Sequence, residues 1–204
     1  MSLARLLQLA SPTLPVGAFS YSQGLEAAVE AGIVTDAASA EAWIADALAF
    51  SLGRFEAPLL WRMMHGEALN DLFLAGRETA ELRAETLQMG HSLKKLVGEL
   101  GLGSVPLEEP AYPAAYAFAV QSLQLDRREA LLAYLWSWLE NQVMAAVKAV
   151  PLGQTAGQKI LLSLGGCLER IADEAQRVSL SNFAPGLAML SVQHETQYSR
   201  LFRS

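Results

Sequence analysis

Residues 127–150 read RREALLAYLWSWLENQVMAAVKAV, a helix-forming run that is apolar on most of its circumference. Such a helix cannot lie on a surface and has to be enclosed by other elements. Trp136 and Trp138 point roughly 200° apart on it, so both are covered only if the helix is surrounded or joins an interface. Asp126 is placed to cap its start, with Glu129 completing a capping box, and Pro151 and Gly153 end it. The rest of a 204-residue chain must therefore pack around this segment.

The remaining sequence supplies helices to do so. Apolar residues recur at steps of three and four, and alternating β-branched runs are rare. Ser20 and Gln23 form a candidate capping box for a helix over about 21–31 that stops at Gly32. A second helix starts at Thr35 or Asp36 and carries Trp43, Ile44, Ala47, Leu48 and Ser51 on one face. Pro58 starts or kinks the next, with Leu59, Leu60, Met63 and Met64. Gly76 divides a short helix from a long one over about 78–100, striped with Leu82, Thr86, Met89, Leu93, Leu96 and Leu100. A Gly- and Pro-rich loop precedes a short helix over about 113–123. Thr155 and Gln158 box the start of a helix over about 156–178, whose stripe includes Ile160, Leu164, Cys167 and Ile171. No linker or repeat divides the chain. The expected fold is all-α, a compact single-domain bundle of about eight to ten helices spanning residues 1–204, with residues 194–204 as a polar tail.

Composition narrows the function. Hydrophobic residues make up 52% and charged residues only 18%, against roughly 25% charged in an average soluble domain. A chain this poor in charge is expected to hide apolar surface at a subunit or partner interface. The net charge of −6 argues against nucleic acid and provides no attraction to anionic lipid. The uncharged run over 178–193 contains Pro185 and Gly186 and would not span a bilayer as a plain helix. The first residues lack the apolar core and cleavage site of a signal peptide. With the lone Cys167 excluding a disulfide framework, a cytoplasmic location is expected.

Catalytic signatures are missing. None of His65, His91 and His194 follows a Glu by three residues, as a helix-bundle di-metal site requires. His194-Glu195 is followed by Tyr198 where a zincin would place its second His. GQTAGQK over 153–159 has three residues between its glycines instead of four, and Ile160 where a phosphate loop needs Ser or Thr. Cys167 falls in an apolar stripe, as an inert core thiol does. His194 beside Glu195 is at most a weak metal candidate, because metal sites usually need three or four ligands. No catalytic residue, resident metal or cofactor is expected.

Three stretches together resemble the UreF family of urease accessory proteins. SPTLPVGAFSYSQGLE (11–26) is similar to the family's N-terminal signature, VPLGQTAGQ (150–158) to its central loop, and HETQYSRLFRS (194–204) to its C-terminal tail. RETAELRAETLQMGHSLKKL (77–96) resembles its long helix. Ala111 and Ala117 depart from the His and Gly that relatives often carry nearby, while Lys148 keeps a positive charge. The resemblance implies a non-enzymatic helical homodimer that acts as a scaffold or chaperone in urease maturation. It implies partners UreD (also called UreH) and the GTPase UreG, and through their complex the urease apoprotein, in GTP-dependent nickel insertion. A main task of activating or gating the GTPase is the alternative.

Partner-binding candidates fall into three groups. In the N-terminal signature, Phe19 is either an anchor for the loop or a partner contact. Gly24 and Glu26 belong to the same group, since a helical Gly24 costs about 1 kcal/mol against Ala and suggests a close backbone approach. In the central loop, Pro151, Gly153, Gln154 and Gln158 join two core helices and, with Lys148, offer uncharged polar groups and a cation for docking the GTPase. The tail carries His194, Glu195, Gln197, Tyr198, Arg200, Leu201, Phe202 and Arg203. As a helix it would show a Tyr198/Leu201/Phe202 stripe with basic flanks, expected to order in a groove of UreD.

Overall fold

The computed structural model describes residues 3–204. Among them are eleven α-helical segments, a 3-10 turn and a π-helical stretch, and no strand. In chain order these are α1 (Leu3–Ala10), the 3-10 turn (Ala18–Ser20), α2 (Leu25–Glu30), α3 (Ala37–Asp46), the π stretch (Ala47–Glu56), α4 (Ala57–Met64), α5 (Asn70–Ala75), α6 (Ala80–Glu99), α7 (Tyr112–Ser122), α8 (Arg127–Ala149), α9 (Gln154–Gly165), α10 (Leu168–Ala175) and α11 (Pro185–His194). The π stretch fuses α3 to α4, which leaves ten helical rods, within the eight to ten expected.

α8 is the hub. It packs against α1, α2, α3, α4, α9 and α10, and Leu131, Leu135 and Leu139 are fully buried in it. The Asp126 carboxylate accepts from Glu129 N–H at 2.9 Å, as expected of the cap. Enclosure is incomplete on one side, where Trp136 stays 39% exposed. Trp138 is half-buried and its indole N–H donates to Gln23 Oε1 at 2.8 Å.

α3 starts with a closed capping box between Asp36 and Ser39. Pro58 falls in the first turn of α4, the helix it was expected to start or kink. It sits just past the π stretch, in a rod that runs without interruption from Ala37 to Met64. Pro58 has no N–H, so in an α-helical pattern the carbonyl of Arg54 would lack its donor. Ser181 N–H fills that place at 3.0 Å, and Asn182 Nδ2 donates to Gly76 O at 2.5 Å. These two bonds tie the segment between α10 and α11 to the helical frame.

Several local expectations are corrected. Ser20 and Gln23 do not box a helix: α2 begins at Leu25 behind Gly24, which is left-handed (φ 81°). Thr155 and Gln158 do not box α9, which begins two residues earlier than expected, behind Gly153 and without a side-chain cap. The expected 156–178 helix is two helices, broken at Gly166 and Cys167, the latter only half-buried. Leu100 is 50% exposed, and Val97, buried, takes its place in the core stripe of α6.

Candidate functional site

Gly17 (φ 80°), Gln23 (φ 53°) and Gly24 (φ 81°) all adopt left-handed backbone. For Gln23 that conformation costs on the order of 1–2 kcal/mol, which the surroundings must offset. The turn they make points the N–H groups of Ser22 and Gln23 at one acceptor, the main-chain oxygen of Ser204, at 2.8 and 3.1 Å. The Ser22 hydroxyl donates to the same oxygen at 2.6 Å. A Cβ on Gly24 would meet Ser191 Oγ of α11 at 2.9 Å, so the close approach expected there is made by α11 within the fold. Gly24 precedes α2, however, and is not inside a helix.

Residues 195–204 continue from α11 as an irregular strap across this turn. Arg203 N–H donates to Ser20 O at 2.8 Å. The carboxylate of Glu26, buried on α2, accepts from Leu201 N–H at 2.6 Å and Phe202 N–H at 2.9 Å. Ser204 Oγ donates to Glu85 Oε2 on α6 at 2.7 Å, and the buried Phe202 ring lies 5.9 Å from Lys148 Nζ on α8. The expected helix with a Tyr198/Leu201/Phe202 stripe is therefore corrected. Phe202 faces inward, while Tyr198 is fully exposed and Leu201 is 71% exposed. The strap lies along its own fold, where its backbone donors find acceptors on α2 and the preceding turn.

His194, expected in a polar tail, is instead the fully buried last residue of α11. Its Nδ1 lies 2.6 Å from Glu81 Oε2 of α6 and its Nε2 3.2 Å from Glu26 Oε2 of α2. An ionised carboxylate only accepts, so both contacts are hydrogen bonds when the ring donates from both nitrogens. Glu81 also pairs with Arg200, and Glu195 Oε1 accepts from Glu81 N–H at 3.2 Å in the first turn of α6, where negative charge is favoured. Among the described residues no three His, Cys, Asp or Glu side chains form a group that could hold a metal ion. His65 and His91 are both exposed.

Beneath the strap's partners lies a chamber of about 420 Å³. Leu9, Leu14, Phe73, Met89 and Met144 give it apolar walls, and Gln23, Glu56, Arg77, Glu85, Tyr112 and Tyr134 give it a polar one. Burial pushes the Glu85 carboxyl up to about 7, held back by hydrogen bonds from Ser204 and Gln23 and by the charge of Arg77. Tyr134 donates to Glu56, and burial, with the Glu56 charge behind it, raises its phenol well above the ordinary value. Arg77 lies 3.4 Å from Glu56 and stacks 4.4 Å above the Phe73 ring.

Of the other candidates, Lys148 and Phe19 also line the chamber and the rest lie outside it. Lys148, Pro151, Gly153, Gln154 and Gln158 are exposed where α8 passes into α9. Phe19 is 65% exposed and so does not anchor its loop; Val16 and Tyr21 are buried there instead. The Gln197 side-chain amide donates to Ser199 O, within the strap. Sequence reasoning missed Ser22, Gln23, Glu81 and Glu85, whose partners in the strap, α6 and α11 are distant in the chain. α11, which leads into the strap, has Met189 (65%) and Val192 (53%) exposed, and Phe183 just before it is 77% exposed. No helix is long and apolar enough to cross a membrane among the described residues.

The sequence model of the family described as UreF matches residues 34–165. A protein of Azoarcus sp. (strain BH72) named urease accessory protein UreF is 53% identical, over 100% of this chain and 96% of its own length. Proteins of the same name from Janthinobacterium sp. (strain Marseille) and Methylobacillus flagellatus are 50% and 51% identical, each over 100% of this chain and 98% of its own.

Proposed function

The chain belongs to the UreF family, and from that premise we propose that it is a urease accessory protein that works as a non-catalytic scaffold or chaperone. It bridges UreD and the GTPase UreG, and the complex acts on the urease apoprotein during GTP-dependent nickel insertion. It is a cytoplasmic homodimer in this reading. The observation that carries the scaffold role is the strap: its backbone is fixed by Glu26, Ser20 and Ser22, while Tyr198 and Leu201 stand free in solvent. An aromatic and an aliphatic side chain held rigidly outward make a preformed anchor pair, which lowers the entropic cost of docking. Met189 and Val192 on α11 extend the apolar surface. We assign this face to UreD.

The surface at the end of α8 supports a UreG contact. Lys148 projects beside exposed Pro151, Gly153, Gln154 and Gln158, giving one cation and several uncharged polar groups. The same placement favours the second reading, in which gating of the GTPase is the main task. Co-purification of UreD and UreG with the wild-type chain, with Tyr198→Ala/Leu201→Ala and with Lys148→Ala/Gln154→Ala tests the assignment. The first pair should lose UreD alone and the second UreG alone. Retention of both partners by both variants would sink it, and a change in UreG turnover with Lys148→Ala without loss of binding would select gating.

A further inference from the structure

The chamber is lined by three carboxylates, Glu56, Glu85 and Glu140, and by two cations, Arg77 and Lys148. Glu56 is matched: it accepts from Tyr134 and lies 3.4 Å from Arg77. Glu85 is not. It is buried, and its two oxygens accept from neutral donors, the Gln23 side-chain amide and the Ser204 hydroxyl, each at 2.7 Å. Among the described residues it forms no ion pair, because Arg77 is committed to Glu56 and to the Phe73 ring. Tyr112, also buried, lines the same chamber, and among the described residues its hydroxyl has no hydrogen-bond partner. A buried carboxylate without a countercharge and a buried hydroxyl without a partner are both costly unless something supplies the missing group. The rest of the wall is largely apolar. Phe19 of the 3-10 turn and Met144 of α8 line the chamber and are exposed, so it opens to solvent between those two elements. Its 420 Å³ falls within the range of small-molecule sites, about 300–1,000 Å³.

We propose that the chamber binds a small organic amine, whose ammonium group pairs with Glu85 and donates to the Tyr112 hydroxyl while its apolar body lies among Phe73, Met89 and Met144. The ligand enters past Phe19. An ammonium supplies both things the wall lacks, a countercharge for one carboxylate and a donor for one hydroxyl, and desolvated charges are tolerated when so matched. A carboxylate ligand fits worse, because it meets Glu85 and finds Arg77 already held. A bare divalent cation also fits worse, since among the described residues no three His, Cys, Asp or Glu side chains form a group that could hold one. Burial pushes the Glu85 carboxyl up to about 7, against hydrogen bonds from Ser204 and Gln23 and the charge of Arg77, with the Glu56 charge adding to burial. Tyr21 is the other titratable group that feels this carboxylate. A bound ammonium acts against that push, since an opposite charge favours the ionised form.

The full-length chain is titrated without partners, using n-hexylamine as the probe and n-hexanol and n-hexanoate as controls of equal length. NMR follows the Trp138 indole N–H and a 13C label in Glu85, and circular dichroism checks that each variant is folded. Hexylamine should bind one saturable site, shift both signals together, and bind at least tenfold more tightly than either control. Its affinity should be about tenfold lower at about pH 6 than at about pH 8, because a carboxyl titrating at about 7 is mostly protonated at the first and mostly ionised at the second, while the amine stays charged at both. Glu85→Gln should lose at least tenfold in affinity, and Tyr112→Phe should lose less, at both pH values. If Glu85→Gln does not fold, the pH series on the wild-type chain and Tyr112→Phe decide. No saturable binding, tighter binding of hexanoate, equal hexylamine affinity in wild type and Glu85→Gln, or an affinity that ignores pH would each overturn the inference.

Discussion

Nδ1 of His194 lies 2.6 Å from Oε2 of Glu81, although 113 residues separate them in the chain. With Glu26 on its other nitrogen, His194 joins α11, α6 and α2 at a single buried point. Removing the imidazole leaves two carboxyl groups short of one hydrogen-bond partner each, although Glu26 keeps two backbone N–H groups and Glu81 keeps Arg200, and a lost buried partner costs about 1–3 kcal/mol, more where the group is charged. His194→Ala should therefore destabilise the chain by roughly 3 kcal/mol in urea unfolding, with Glu81 at 19% side-chain exposure tempering the loss. His194→Gln, which keeps one donor, should cost distinctly less. Equal stabilities of wild type and His194→Ala would contradict the geometry.

Tyr198→Ala and Leu201→Ala should separate binding from stability. Both side chains are exposed, so each substitution should change unfolding free energy by no more than about 0.5 kcal/mol. Titration calorimetry against UreD should nonetheless show at least a tenfold loss of affinity for the pair, about 1.4 kcal/mol.

Gly90 marks the closest approach of α6 to the start of α7. A Cβ there would fall 1.9 Å from the carbonyl oxygen of Pro110 and 2.9 Å from the carbonyl carbon of Ala111. Backbone cannot rotate away as a side chain can, so Gly90→Ala should cost 3 kcal/mol or more, the upper end of what overpacking produces, roughly 1–3 kcal/mol. A melting temperature within a degree or two of wild type would refute this.

Glu85 predicts a pH dependence of definite sign. Its carboxyl is raised from 4.5 to about 7 in the fold, so the folded chain holds more protons than the unfolded chain between those values. Stability should be greatest, as far as this group is concerned, below pH about 4.5 and decline as pH rises through about 7. The loss is on the order of 3 kcal/mol. Glu85→Gln should flatten the profile across that window and be no less stable than wild type at pH 8.

The helices were largely legible because their determinants are local. Asp36 and Asp126 lie within three residues of the N–H groups they cap, and the all-round apolar character of α8 is visible in one stretch of sequence. The strap was legible only as a resemblance in its residues. Its conformation depends on Glu26, 175 residues from Leu201, and on Ser22, 182 residues from Ser204. Spacings of three and four in the strap suggested a helix, but bonds to these remote partners outweigh a helical turn so close to the end of a rod. The start of α9 was misplaced for the opposite reason. Thr155 and Gln158 match a capping pattern, yet the bend at Val150 and Pro151 already brings the chain into helix two residues earlier.

The carbonyl of Arg54 has an effect far from its own helix. It takes the N–H of Ser181, so the linker after α10 is pinned at one point of the long rod, and Asn182 pins it again at Gly76. Two bonds thus fix where the chain leaves α10 and where α11 sets out, and so where His194 meets its two carboxylates.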